Sequence, residues 1–220
     1  MSHELTDTQK RNRVRAAQVL LARQAQAPFL HLLVTGDEKW VSFRNPNPHN
    51  EWLEPGQRPS ATPRKDFRNN KAMLCVFWSI YGVIHWELLE HGTRVNSELY
   101  CQQLDRVNRE LRSYYQGPVV FLDDNVTPHT ARLTKAKLAQ LGWDRLDHPP
   151  YSPDLAPSDF HLFRSLQHYL KGTLFANINE ARQALNSFFS SKEPEFYERG
   201  INKLPQKWQE VIDVDGEYYD

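Results

Sequence analysis

Cysteine is scarce in this chain: among 220 residues only Cys75 and Cys101 occur, 26 positions apart. A multi-disulfide framework is excluded, neither thiol has a second Cys or a His at zinc-site spacing, and the composition suits a reducing compartment. An excess of charge is missing as well, since Lys+Arg and Asp+Glu each total 27. Bulk charge therefore advertises no polyanionic partner, and any contact with nucleic acid has to come from local patches. Long apolar runs are also lacking. The longest, 72–86, is too short for a membrane span and is interrupted by Ser79, Tyr81 and Gly82. No basic-then-apolar signal opens the chain and no repeat runs through it, so a soluble intracellular protein without a membrane partner is expected. What is present, 40% hydrophobic and 25% charged residues over this length, fits one globular domain with a sizeable core.

Periodicity and punctuation predict a mixed α/β chain. Thr6 and Gln9 form a potential capping box for a helix to about Gln26, with Val14, Ala17 and Leu21 on one face and Lys10, Arg11, Arg13 and Arg15 on the other. Residues 30–36 read as a strand ending at Gly36, and 39–43 resumes extended character after the acid pair Asp37 and Glu38. Residues 72–80 and 83–89 read as a hairpin around Tyr81-Gly82. Between the first strand and that hairpin, 44–71 holds five prolines and six Lys/Arg against three acids, an excursion with little periodicity. Asn96 can cap a helix carrying Leu99, Leu104, Val107 and Leu111. Residues 119–122 read as a buried strand, Thr127-Pro128 starts a helix that Gly142 ends, and a short strand is expected at 145–147. Ser158 opens a helix to about Lys171, and further helices follow near 178–190 and 194–212. Three strands, a helix, a strand, a helix, a strand and a helical tail is the order of the RNase H-like fold, a mixed sheet flanked by helices.

Three acids stand where side chains can converge: Asp37 after the first strand, Asp124 after the fourth, and Asp159 in the first turn of a helix. Taken singly, an Asp at a strand end is most often a turn residue and one at a helix start a capping group. Together they form a metal-site pattern. Phosphodiester chemistry needs charge neutralised at a pentacoordinate phosphorus, and hard divalent cations held by carboxylates supply this. In this reading Asp37 bridges two ions, Asp124 binds one and Asp159 the other.

The blocks TGDEKW (35–40), FLDDN with PHTA (121–125 and 128–131) and HPPYSPDLAPSDFHLF (148–163) resemble the three catalytic blocks of mariner-type transposases. The 34 residues between Asp124 and Asp159 match that family's signature, and HELT, PGQ, MLCVFW, FYERGINKLPQKW and DGEYYD extend the likeness over nearly the whole chain. The resemblance implies an RNase H-like catalytic domain using two Mg²⁺ or Mn²⁺ ions, with Asp37, Asp124 and Asp159 as catalytic and metal-binding residues. It further implies cut-and-paste transposition into TA sites, transposon-end and target DNA as partners, and work in the nucleus. Residues 1–28 then correspond to a linker and leading helix and 29–220 to the catalytic domain; 44–71 corresponds to a clamp loop that reaches the partner of a homodimer. The helix-turn-helix modules that precede the linker in the family are expected to be absent from this chain.

One residue departs from the family pattern: Asp123 stands where relatives usually carry His before the second aspartate. It either points to the opposite face of the strand or adds a carboxylate that weakens metal binding. Other candidates are His129, for the substrate phosphate or the site, and Trp40, for stacking on a flipped base. Arg58, Arg64, Lys65 and Arg68 are candidate phosphate contacts, set against the commoner reading of a charge run as a solvated face. Glu38 is expected to face away from Asp37. The six tryptophans are mostly core or interface by type. Competing functions are a domesticated domain that binds DNA or dimerises without cutting, and a different RNase H-like nuclease.

Overall fold

Five strands build one sheet: β1 (Leu33–Ser42), β2 (Lys71–Ser79), β3 (Gly82–Leu89), β4 (Val119–Leu122) and β5 (Trp143–Arg145). Their spatial order is β3-β2-β1-β4-β5, in a computed structural model that describes residues 4–43, 71–90 and 92–219. The first three pair antiparallel, whereas β4 runs parallel to β1 and β5 parallel to β4. Helices α1 (Asp7–Gln26), α2 (Ser97–Arg112), α3 (Thr127–Thr130), α4 (Arg132–Leu141), α5 (Arg164–Leu170), α6 (Ile178–Ser190), α7 (Pro194–Asn202) and α8 (Leu204–Asp213) cover it.

Successive strand residues point to opposite faces, and here both faces are buried, which is why these strands read as continuous apolar runs. Leu33, Val41, Leu74, Val76, Val120 and Leu122 enter one core with Ala17 of α1, Leu185 of α6 and Trp208 of α8. Val34, Cys75, Phe77, Val119 and Phe121 enter the other, packed by Tyr100, Leu104, Val107 and Leu111 of α2 and by Leu138 of α4. The expected capping box at Thr6 and Gln9 and the Asn96 cap both form. Gly142 ends α4 in the left-handed conformation, with φ 68°.

Several expectations are corrected. The first strand does not stop at Gly36, because its ladder with β2 runs unbroken from Thr35↔Trp78 to Ser42↔Lys71, so Asp37 lies mid-strand. Gly36 is needed there: a Cβ would come within 2.5 Å of the Phe77 ring. The helix expected from Thr127 to Gly142 is two, since Ala131 turns extended at ψ 149°. The last strand sits two residues earlier than predicted, Trp143–Arg145, because its register is set by pairing with Val119 to Phe121. The helix at Ser158 opens as a π turn, Ser158–Phe163, before α5 begins. The terminal helix is split at Lys203, where Pro205 lacks the N–H that continuation would require. Arg13, placed on the face of α1 opposite its apolar residues, is fully buried. It donates to Ser152, to both carboxylate oxygens of Asp154 and to the main-chain oxygens of Gly216 and Glu217. One arginine thus clasps α1 to the loop before Asp159 and to the C-terminal tail.

Candidate active site

Strand parity decides which acids meet. Along β1, Asp37 shares its face with Leu33 and Val41, while Glu38 takes the other face with Val34. Beyond β4 the same alternation sends Asp124 with Val120 and Leu122, and Asp123 with Val119 and Phe121. The π turn that carries Asp159 packs on β1 and delivers Leu162 and Phe163 to the core on the Asp37 side. Asp37, Asp124 and Asp159 are therefore brought towards one place by three separate elements.

Their electrostatics record the gathering. Burial, then the negative charges of Asp159, Glu38 and Asp124, hold the Asp37 carboxyl well above the usual carboxylate range. Its Oδ1 accepts from the Glu38 amide at 2.7 Å. Asp159 is raised by burial and by Asp124, against the pull of Lys39. At Asp124 burial acts upward, but His129 outweighs it and the carboxyl sits below its ordinary value. The His129 ring is fully buried and stacks on Tyr100 with centroids 4.0 Å apart. Its Nδ1 lies 2.6 Å from Asp124 Oδ1 and its Nε2 lies 3.2 Å from Glu38 Oε1. Burial opposes its charge, but the bonds to Asp124 and Glu38 push its pKa up to about 10.

The predicted residues fall into place unevenly. His129 stands at the site, turned to the carboxylates rather than to solvent. Glu38 faces away from Asp37, as parity requires. Trp40 is exposed, with the Lys71 ammonium 4.1 Å above its ring, and lines a cavity of about 410 Å³ with Asp37, Met73, Val95, Asp124 and Val126. A larger cavity of about 530 Å³ between α1 and residues 145–150 holds none of the three aspartates. Arg58, Arg64, Lys65, Arg68 and Trp52 lie outside the described residues. Among the other tryptophans, Trp78, Trp143 and Trp208 are core. Sequence reasoning missed Tyr100 and Arg145, which hold Asp123 from two sides. Tyr100 had a signal: it continues the apolar face of α2 at helical spacing, and a buried tyrosine needs a partner for its hydroxyl. Arg145 had none, being one charged residue in a short strand.

The donor set suits a hard cation: three carboxylates, one of them strained by its acidic neighbours in a way that positive charge would relieve. Among the described residues no group of three or more His, Cys, Asp or Glu side chains is placed to hold a metal ion. At Asp124 the ion-pair approach of His129 and the hydrogen bond from the Val126 amide both fall on Oδ1.

Residues 42–120 match the family described as Transposase (partial DDE domain). The chain is 43% identical over 222 residues to the Mariner Mos1 transposase of Drosophila mauritiana, covering 98% of this chain and 64% of that protein. The crystal structure of the catalytic domain of Mos1 mariner transposase is 40% identical, superposes with a TM-score of 0.86 and is covered end to end, 100% of both chains. This chain belongs to the mariner-type transposases. Within that family it corresponds to the catalytic domain, and its fold is RNase H-like. The Mos1 mariner paired end complex with Mn is 43% identical at a TM-score of 0.92, over 100% of this chain and 66% of that one. The mariner-type chain described here thus spans about two thirds of its full-length relative. Among its described residues, no helix is long and apolar enough to cross a membrane.

Proposed function

We propose that this chain is the catalytic part of a cut-and-paste transposase, in which Asp37, Asp124 and Asp159 would together hold two Mg²⁺ or Mn²⁺ ions, Asp37 being shared between them. The observation that carries the reading is geometric: strand parity turns Asp37 and Asp124 to the same side of the sheet, and the π turn that bears Asp159 packs on β1 on that side. Bound divalent cations supply charge neutralisation at the reacting phosphate and activation of the attacking oxygen, whether water or a 3′-hydroxyl. His129 orients Asp124 from behind and Glu38 orients His129. Trp40, exposed at the cavity rim, offers a face for a nucleobase, and Arg58, Arg64, Lys65 and Arg68 supply cations for phosphates. The partners are transposon ends and TA target DNA, met in the nucleus. The clamp-loop segment itself lies outside the described residues, but the residues that flank it, Ser42 at the end of β1 and Lys71 at the start of β2, are paired neighbours in the sheet. That insertion point suits a clamp reaching a second copy in a homodimer.

A strand-transfer assay tests the reading, with a pre-cut transposon-end oligonucleotide, a TA-containing target and Mn²⁺. Joined product is expected from the wild type and none from Asp124→Asn. Asp123→Asn, which alters a side chain on the other face, is expected to stay within about tenfold, roughly 1.4 kcal/mol in barrier. Metal-independent joining, or equal joining by Asp124→Asn, counts against it.

A further inference from the structure

Just past the end of β4 the chain loses its sheet partners, yet the direction of Asp124 depends on the backbone there. The last register pair between β4 and β5 is Phe121↔Arg145, followed by the Leu146 amide donating to the Phe121 oxygen at 2.8 Å. Beyond that point one side chain takes over from the ladder. Arg145 Nε donates to Asp123 Oδ1 at 2.5 Å and Nη2 donates to the main-chain oxygen of Asp124 at 2.9 Å. Asp123 is held from the opposite side, since Tyr100 Oη donates to its Oδ2 at 2.9 Å and its side chain is 0% exposed. One planar fork therefore spans two consecutive residues, gripping the side chain of the first and the backbone of the second.

We infer that Arg145 is a positioning residue for Asp124: its two-armed grip on Asp123 and on the Asp124 carbonyl fixes the backbone from which the Asp124 carboxylate is aimed. The same grip neutralises Asp123, so a second acid can stand beside Asp124 without adding uncompensated negative charge. Groups that orient metal-ligating side chains typically change metal affinity by 10–100-fold when removed. Lysine cannot substitute, because a single ammonium on a flexible stem keeps the charge but not the two-point geometry. The inference rests on the reading of Asp124 as a metal ligand.

The test is calorimetric titration of Mn²⁺ into the whole chain, with thermal unfolding of each metal-free variant measured alongside. Arg145→Lys is expected to bind Mn²⁺ about tenfold more weakly than the wild type. Asp123→Asn, whose amide oxygen still accepts from Nε, is expected to lose less than Arg145→Lys. The double variant is expected to be no weaker than Arg145→Lys alone, because both changes act through one grip. If Arg145→Lys does not fold, Arg145→Gln, which can reach only one of the two oxygens, is expected to show the same loss. Lower thermal stability with Mn²⁺ affinity unchanged in the Arg145 variants would leave a purely structural ion pair and overturn the inference. Asp124→Asn is the control that separates the two claims. Wild-type Mn²⁺ affinity in that variant overturns the metal-site reading and this inference with it, whereas loss there with Arg145→Lys unaffected overturns the inference alone.

Discussion

Arg13 shows how far one side chain can depart from its expected place. Its position in a basic run near the start of α1 read as the face opposite the apolar residues, yet its guanidinium is enclosed and bonded to five oxygens. Helical phase alone did not reveal this, because the burying surface comes from residues 152–154 and 216–217, about 140 and 200 positions away. Removing one member of a buried ion pair strands the other, at a cost of about 3–5 kcal/mol. Arg13→Ala is accordingly expected to lower unfolding free energy by about 3 kcal/mol in a urea titration; a loss under about 1 kcal/mol would mean that Asp154 finds water instead. The catalytic candidates were legible for the opposite reason. Asp37, Asp124 and Asp159 sit in contiguous blocks whose spacing is local information, whereas Arg145 and Tyr100 reach Asp123 only through tertiary folding.

At the scale of elements, β4 was placed at 119–122 from its apolar run, and the hairpin of β2 and β3 from the Tyr81-Gly82 break. Both are set by burial and turn chemistry, which a sequence displays. The continuity of β1 through Asp37 was not visible, because an acid pair mimics a turn and only the long ladder with β2 overrides it. That ladder depends on Gly36, whose missing side chain admits Phe77. Gly36→Ala is expected to cost about 1–3 kcal/mol by overpacking. Because the next residue is Asp37, it should also weaken Mn²⁺ binding in calorimetry. Unchanged stability and affinity would mean that Phe77 moves aside freely. The helix break at Ala131 was likewise hidden, whereas the one at Lys203 had a signal in Pro205 that the continuing apolar spacing masked.

For the whole molecule, acid sensitivity follows from His148, which is half-buried and lines the cavity between α1 and residues 145–150. Burial is the main cause that pushes its pKa down to about 4, with Arg13 and Arg145 acting the same way against Asp124 and Asp154. An unfolded histidine takes its proton near 6.5, so as pH falls below that value the unfolded chain gains the proton first. Stability from this group is complete above about 6.5 and lost as pH falls towards about 4. The buried carboxyls of Asp37 and Asp159, raised in the fold, act in the opposite sense. The clean reading is therefore a difference between wild type and His148→Gln in metal-free buffer. Any stability advantage of the wild type should shrink by roughly 2 kcal/mol between pH 7.5 and pH 5. A difference independent of pH would show that the ring is hydrated.

The proposal that Asp37, Asp124 and Asp159 hold divalent metal is most directly tested by anomalous diffraction from crystals of this chain soaked in Mn²⁺. Two peaks about 3.5–4 Å apart, both within ligand distance of Asp37, one also on Asp124 and the other on Asp159, are the predicted result. No peak at these carboxylates, or Mn²⁺ bound only elsewhere on the surface, would contradict it.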